Sequence, residues 1–253
     1  MKIDNPAFDY DAHGHGYANI RRADTRIEAR IHAGLGNART VLNVGAGAGS
    51  YEPADRYIVA VEPSQVMRAQ RLANGKVPAV NAKAGALPFD DNSFDASMAV
   101  ATIHHWPDIQ AGLAEMRRVT KGPVVILTFD PEALDEFWNV HYFPEVVAAE
   151  KQRYPAISRI NEYLGGNCEI QTVPIPLDCT DGFQEAFYGR PEAFLQKEVR
   201  QSQSAWGFVD AATEERIVQH LAGELQSGEW DRKYGHYRTQ PTFNGSVRLV
   251  IAR

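Results

Sequence analysis

The sequence has few cysteines, no long apolar run and no excess of positive charge. Its two cysteines, Cys168 and Cys179, are too few for a disulfide framework or for a zinc site built on thiolates, so we expect two reduced thiols. No apolar run approaches the roughly 20 residues of a membrane span, and residues 1–6 lack the apolar core of a signal peptide. Together these absences favour a cytoplasmic protein.

The charge balance argues against a partner with a phosphate backbone. The net charge is -6 and the isoelectric point is near 5.8, whereas nucleic-acid binders usually carry a basic face. We therefore expect neither a nucleic acid nor a membrane as a partner, and the choice between monomer and homodimer stays open. The 253 residues contain no repeat or low-complexity linker, so we expect one domain with a sizeable core.

A glycine-rich turn follows the first apolar run. Residues 41–44 have the pattern of a buried parallel strand, and glycines follow at alternate positions from Gly45 to Gly49. Only glycine lets the backbone turn sharply there and approach a ligand closely. A second apolar run at 57–61 ends at Glu62, where an acid can accept both ribose hydroxyls of a nucleotide. This order predicts the nucleotide-binding half of an α/β sheet.

The glycine spacing separates two classes of nucleotide-binding protein. Dinucleotide folds use G-x-G-x-x-G, but Ser50 stands in the third glycine place. The spacing G-x-G-x-G followed by Glu62 resembles the S-adenosylmethionine-dependent methyltransferases of the Rossmann-like class, in particular the small-molecule family known as type 11. The segment from Leu87-Pro88-Phe89 to Ser93-Phe94-Asp95 is similar to the part of that family that runs along the adenine ring.

The resemblance covers residues 10–130 and implies both a fold and a cofactor. The implied fold is an α/β, seven-stranded, mostly parallel, doubly wound sheet with an N-terminal lid and a helical cap inserted after strand five. The implied cofactor is S-adenosylmethionine, with S-adenosylhomocysteine as the product. We expect a lid segment and helix over 1–36, a cofactor-binding core over 40–130, a cap and substrate region over 131–240, and a last strand over 245–252.

Periodicity, turn residues and the resemblance predict the remaining elements. Helices are predicted over 18–35, 65–72, 109–119, 137–143, 156–164, 191–206 and 213–227, the last capped by Thr213. Strands are predicted over 77–80, 96–101, 124–130 and 169–176.

The predicted cofactor site combines the glycine loop with residues after the following strands. Tyr17 and Arg21 are four residues apart, so on a helix they share a face and could clamp the methionine carboxylate; a solvated helix surface is the alternative. The family usually has Asp where Lys83 stands, and a lysine cannot accept the adenine amino hydrogen bond. We therefore expect backbone near Ala84 and Gly85 to hold the adenine. The predicted cofactor-binding residues are Tyr17, Arg21, Gly45, Ala46, Gly47, Gly49, Glu62, Pro63, Ala84, Gly85 and Ala101.

Two histidines and a tryptophan follow the predicted fourth strand, at the sheet edge where ligands bind. The family often carries His-His here, and His104 is the predicted general base if the acceptor must lose a proton. Weaker candidates for that role are His13, His15, His141 and Tyr142. The predicted substrate contacts are His105, Trp106, His141 and Tyr142. No metal-ligand spacing is apparent, so no metal is expected.

The predicted function is methyl transfer to a small-molecule acceptor, a metabolite or natural-product intermediate, achieved mainly by alignment. One alternative is a nucleotide-dependent oxidoreductase on the same kind of sheet. The other is a non-catalytic S-adenosylmethionine-binding protein, which Lys83 and Asn43 leave open because the family commonly has Asp at both places. The acceptor, and whether oxygen, nitrogen or carbon is methylated, cannot be read from the sequence.

Overall fold

The fold is known from a computed structural model that describes residues 21–253. Tyr17, His13 and His15 lie outside the described residues, as does most of the predicted lid segment. Within the described range, no helix is long and apolar enough to cross a bilayer.

A seven-stranded sheet forms the centre of the molecule, as predicted. Its strands lie in the order β3-β2-β1-β4-β5-β9-β6, and a separate pair, β7 and β8, forms a second small sheet. The strands are β1 (Thr40–Val44), β2 (Tyr57–Val61), β3 (Ala79–Val80), β4 (Ala96–Val100), β5 (Val124–Phe129), β6 (Glu169–Thr172), β7 (Ile175–Pro176), β8 (Thr242–Phe243) and β9 (Val247–Ala252). Strands β1 to β5 pair in parallel, whereas β9 runs antiparallel to β5 and β6.

Helices cover both faces of this sheet. They are α1 (Thr25–Gly34), α2 (Gln65–Ala73), α3 (Ile109–Val119), α4 (Pro144–Arg153), α5 (Ile157–Tyr163), α6 (Lys197–Gln201), α7 (Ala211–Ser227) and α8 (Glu229–Tyr234). Successive strand residues point to opposite faces, so Val125 packs with Ile31 of α1, while Ile126 packs with Leu113 of α3 and Ile160 of α5. The sheet is therefore doubly wound, as predicted.

Local capping explains where several helices begin. Asp24, Ser64 and Asp108 each accept a backbone N–H in the first turn of α1, α2 and α3, which satisfies a donor that the helix leaves open. The prediction that Thr213 caps α7 is wrong. Asp210 is the cap, and its side chain accepts from the backbone N–H of Thr213 at 2.7 Å.

The predicted helix over 18–35 begins later than expected. Helix α1 starts at Thr25, and Arg21 forms an isolated antiparallel bridge with Asp181 instead. The argument that Tyr17 and Arg21 share a helix face therefore fails for Arg21. Contact with a segment far along the chain outweighs the helical pattern at this point.

Three predictions in the second half of the chain are wrong in detail. Residues 137–143 form a short 3-10 segment, Trp138–His141, and the α-helix comes after it as α4. The predicted helix over 191–206 is broken by extended backbone at Gln196 and Gln203. The predicted strand over 169–176 is divided between β6 and β7. In the first two cases buried aromatics such as Trp138 and Trp206 fix the local backbone, because packing overrides helical propensity.

Candidate functional site

A cavity of about 300 Å³ lies at the carboxyl ends of the parallel strands. The chain leaves β1 toward one side of the sheet and β4 toward the other, so their shared edge is a topological switch point, where α/β sheets bind ligands. The volume is at the lower end of the range for small-molecule sites. Residues from several segments line this cavity, among them Arg21, Asn43, Gly45, Ala46, Gly47, Tyr51, Glu62, Pro63, Lys83, Ala84, Ala101, Thr102, His105, Trp106 and Asp181.

The glycine loop after β1 forms the floor of this cavity. Gly45 adopts φ +71°, a left-handed conformation that other residues rarely take. A Cβ at Gly45 would lie 2.2 Å from Thr102 Oγ1, so the loop and the segment after β4 approach closely only because this residue is glycine. The result is a cavity floor made of bare backbone.

Glu62 lies beneath the same loop and is buried. One carboxylate oxygen accepts the backbone N–H of Gly47 at 2.8 Å, and the other accepts that of Ser64 at 2.9 Å. The N–H groups of Gly45 and Ala46 both donate to the carbonyl of Val61, at 2.9 and 3.0 Å. These loop donors are therefore engaged by the protein itself, and a carboxylate stands beside them.

A buried charged network supports the loop from behind. Arg71 is fully buried and forms two hydrogen bonds with the Glu52 carboxylate, at 2.6 and 2.9 Å. Asn43 Nδ2 donates to the same carboxylate at 2.8 Å. Such bidentate, charge-assisted pairs have a fixed geometry, so this network positions the end of β1 and α2 relative to the loop.

A second ion pair lies in the cavity wall and joins distant parts of the chain. Arg21 Nε donates to Asp181 Oδ1 at 2.5 Å, and the Tyr51 hydroxyl donates to Asp181 Oδ2 at 2.8 Å. Burial, followed by the nearby Asp181 carboxylate, raises the pKa of Tyr51 far above its usual range. Arg21 therefore reaches the cavity as predicted, but as half of an ion pair.

The two histidines after β4 differ in position. His105 lines the main cavity, whereas His104 is buried behind it, between the ring of His105 at 3.9 Å and that of Tyr154 at 4.3 Å, measured between centroids. Burial lowers the pKa of His104 well below its ordinary value. Burial and the charges of Arg153 and Arg21 lower the pKa of His105 to about 3. Both imidazoles are therefore neutral near pH 7.

A second, smaller cavity of about 30 Å³ lies behind the histidines. It shares Arg21, Ala101 and His105 with the main cavity. Its other lining residues are His104, Phe129, Leu134, Asn139, Glu150, Tyr154, Phe183, Gln184, Glu185, Gln203 and Ser204. Most of these come from segments after β5, and many are polar.

The structure brings most of the predicted cofactor residues together, and the roles given to them stay predictions. Gly45, Ala46, Gly47, Glu62, Pro63, Ala84 and Ala101 line the main cavity with Arg21, and so do His105 and Trp106 among the predicted substrate contacts. Gly49 and Gly85 lie in the same loops but outside the lining.

Two predicted substrate contacts, His141 and Tyr142, line neither cavity. The Tyr142 hydroxyl donates to Glu224 at 2.6 Å, and His141 Nδ1 is 3.0 Å from the Tyr234 hydroxyl. Sequence reasoning missed Tyr51 and Asp181 in the main cavity and Glu150 in the second. The position of Tyr51 directly after the glycine loop is a local signal for a cavity residue. No local sequence pattern distinguishes Asp181 or Glu150 from other acids.

Parts of the chain are similar in sequence to known proteins. Residues 42–127 match the family described as a methyltransferase domain. Over 143 residues, the chain is 29% identical to malonyl-[acyl-carrier protein] O-methyltransferase of Halorhodospira halophila, covering 50% of this chain and 48% of that protein. Over 126 residues, it is 33% identical to a ubiquinone/menaquinone biosynthesis C-methyltransferase of Geobacter sp., covering 44% and 54%. The chain spans about half the length of these curated relatives.

A solved structure extends the likeness to nearly the whole chain. It is a protein of Anabaena variabilis assigned as a methyltransferase from an antibiotic biosynthesis pathway, 28% identical, with a TM-score of 0.85 and coverage of 93% of this chain and 100% of that one. The YcgJ protein of Bacillus subtilis shares the fold, at 20% identity and a TM-score of 0.53. The solved structures confirm the predicted fold class, and over residues 42–127 the chain matches the methyltransferase-domain family.

Proposed function

We propose that the protein transfers a methyl group from S-adenosylmethionine to a small-molecule acceptor, because residues 42–127 match a methyltransferase-domain family and nearly the whole chain has the fold of a solved protein assigned as a methyltransferase. The observation that carries the proposal is the cavity at the switch point, where Glu62 lies under a glycine loop whose donors are already engaged.

The loop chemistry favours this cofactor over a dinucleotide. A pyrophosphate needs free backbone N–H groups at the loop, but those of Gly45, Ala46 and Gly47 bond to Val61 and Glu62. S-adenosylmethionine carries no phosphate, and its ribose offers two hydroxyl donors to an acid. The oxidoreductase alternative therefore has no support from the loop.

The charges in the wall suit the other end of the cofactor. A methionine moiety carries one ammonium and one carboxylate, and Arg21 and Asp181 present one charge of each sign to the cavity. Lys83, Ala84 and Pro63 line the part of the cavity after β2 and β3, which we assign to the adenine. When bound, S-adenosylmethionine supplies an electrophilic methyl group on a sulfonium.

Alignment is the main task of the protein in this proposal. Holding the acceptor in line with the methyl carbon can supply about 7 kcal/mol or more of the barrier reduction. His104 stays a predicted proton acceptor, and it lines the second cavity but not the main one. We further propose a cytoplasmic enzyme without a nucleic-acid partner, built as one domain with residues 131–240 as the cap.

The test is isothermal titration of the protein with S-adenosylmethionine, S-adenosylhomocysteine and NADH, using Glu62→Gln and, as a matched control, Glu132→Gln. In Glu62→Gln an amide NH₂ must face a backbone N–H that the carboxylate now accepts. We expect an affinity loss of about tenfold or more, because a hydrogen bond to a charged group contributes roughly 1.5–3 kcal/mol. The exposed Glu132 should tolerate the change.

Transfer of a labelled methyl group to a broad panel of small hydroxyl, amino and carbon acceptors then separates an enzyme from a binding protein. Tight cofactor binding without transfer to any acceptor would favour the non-catalytic alternative. Binding of NADH alone would contradict the proposal altogether.

A further inference from the structure

The second cavity contains a carboxyl group that the cofactor site does not use. We propose that this cavity receives the hydroxyl or amino group that is to be methylated, and that the Glu150 carboxylate accepts the hydrogen bond and the proton of that group. This inference rests on the function proposed above and names its acceptor class: a small molecule that presents an O–H or N–H donor.

The position of the cavity relates it to methyl transfer. It shares Arg21, Ala101 and His105 with the main cavity, so the two cavities are neighbours at the carboxyl end of β4. Its volume of about 30 Å³ exceeds what one water requires but admits only one small polar group. The remainder of an acceptor must therefore lie outside the second cavity, which would bind only the reacting group.

Glu150 is buried and faces this space from helix α4. The neighbouring cations are engaged elsewhere: Arg153 bonds Ser204 Oγ at 2.9 Å and His105 Nδ1 at 3.1 Å, and Arg21 pairs with Asp181. The other carboxyl in the wall, Glu185, accepts both the backbone N–H and the hydroxyl of Ser246. Glu185 therefore holds the β9 segment, while Glu150 lines the cavity beside Gln184, its hydrogen-bonding neighbour.

Glu150 is a better proton acceptor than either histidine. Arg153 can only donate, so His105 Nδ1 is an acceptor occupied by that bond. The pKa values of both histidines are strongly lowered by burial, and a weak base gives little driving force for proton transfer. Burial raises the pKa of Glu150 to about 7, against the opposing effects of the Arg153 charge, a hydrogen bond with the Gln184 side chain and the Arg21 charge. A group that titrates near the operating pH suits general base catalysis.

The proposed step combines a methyl transfer with a proton transfer. A bond forms between the acceptor oxygen or nitrogen and the methyl carbon, the carbon–sulfur bond of the sulfonium donor breaks, and its electron pair stays on sulfur. The proton of the acceptor passes to the Glu150 carboxylate and later to solvent. Glu150 therefore touches the reacting group, whereas Arg153 and His105 position the wall around it.

The test observes Glu150 directly in the full chain labelled with ¹³C-glutamate and loaded with S-adenosylhomocysteine. The side-chain carboxyl signal is assigned as the one missing from Glu150→Gln, or from Glu150→Asp if the first variant does not fold. We expect this signal to titrate near pH 7 instead of near 4.5. At pH 8, methylammonium or methanol, small enough for the cavity, should shift it, while the signals of exposed glutamates such as Glu136 should not move.

Each outcome decides a separate question. A shift with methylammonium alone would indicate an amine acceptor, and a shift with methanol alone a hydroxyl acceptor. If S-adenosylhomocysteine binds but neither probe moves the Glu150 signal, the inference is wrong and the proposed function stands. If S-adenosylhomocysteine does not bind, both fail. The affinity for S-adenosylhomocysteine should stay within about twofold in Glu150→Gln, because Glu150 does not line the main cavity.

Discussion

Asn43 Nδ2 donates a hydrogen bond of 2.8 Å to Glu52 Oε1, the oxygen that also accepts from Arg71 at 2.6 Å. The sequence is unusual at Asn43, where related methyltransferases commonly have Asp, and this contact gives the reason. An Asp at this position would face the Glu52 carboxylate with no hydrogen to donate. The amide and Glu52 therefore form a matched pair that keeps the end of β1 neutral.

We expect Asn43→Asp to destabilise the fold by about 2–4 kcal/mol at pH 8, because a hydrogen bond is lost and two buried carboxylates meet. The destabilisation should shrink toward pH 5, where the introduced carboxyl can take up a proton. Urea unfolding at both pH values measures it. The control is Asn37→Asp, at an exposed position. Equal stability of Asn43→Asp and the parent chain would show that Glu52 does not need the amide.

The glycine loop gives a second prediction. Gly45→Ala places a methyl group 2.2 Å from Thr102 Oγ1 and adds backbone strain at φ +71°. Gly36→Ala has similar strain at φ +58° but no neighbour within 4 Å, so it isolates the strain, about 1–2 kcal/mol. We expect Gly45→Ala to lose more stability than Gly36→Ala and to lose cofactor binding in titration. Equal stability losses would mean that Thr102 moves aside freely.

Glu150 also predicts how stability depends on pH. Its pKa is raised from 4.5 to about 7 in the folded state by burial, so the folded chain binds a proton more tightly than the unfolded chain does. The stabilisation is complete below pH 4.5 and is lost as pH rises through 7. The Glu150→Gln variant has no carboxyl group to ionise at this position. Its free energy of unfolding should therefore exceed that of the parent chain by roughly 3 kcal/mol at pH 8.

At pH 4 the same comparison should show little difference, because Glu150 is protonated in both states. Glu185 is likewise raised to about 7, chiefly by burial, and it is unchanged in both proteins, so the comparison isolates Glu150. Glu136→Gln, at an exposed position, is the control. A destabilised Glu150→Gln at pH 8 would indicate that the hydrogen bond of the carboxylate with Gln184 outweighs the cost of its burial.

Tyr142 provides a test of a predicted substrate contact. Tyr142→Phe removes the hydroxyl that donates to Glu224 at 2.6 Å, so we expect a stability loss of about 1–3 kcal/mol. Because Tyr142 lies outside both cavities, the affinity for S-adenosylmethionine should not change, and neither should methyl transfer once an acceptor is known. Tyr57→Phe, at a position 80% exposed, is the control for stability. Reduced transfer with normal stability would restore Tyr142 as a substrate contact.

Most residues proposed to bind the cofactor could be placed at one cavity from the sequence because their signals are local. The apolar run of β1, the loop glycines and Glu62 lie within about 20 residues. Each of these residue types has a defined role in a nucleotide-binding strand, loop and following strand. The periodicity of the apolar residues predicts which segments are strands and which are helices. In a parallel sheet built from them, the glycine loop and Glu62 both lie at the carboxyl edge of the strands. The same reasoning located Arg21 at the cavity, although through a helix that the structure does not contain.

Two acids in the cavity walls could not be predicted, because their signals are not local. Glu150 and Asp181 reach the cavities through packing between segments far apart in the chain, and no local pattern distinguishes a buried acid from a solvated one. The aromatic residues around Trp138 indicate a core but do not determine its backbone, which is why the helix over 137–143 was wrongly predicted.

The arrangement of β9 sets the order in which the protein can fold. This strand lies between β5 and β6, and residues 124–129 pair with residues 247–252. During synthesis β5 emerges long before its partner and presents an unpaired, apolar edge, which invites association with other chains. The parallel core can form early, but the sheet closes only when β9 is available, so folding is limited by this distant pairing.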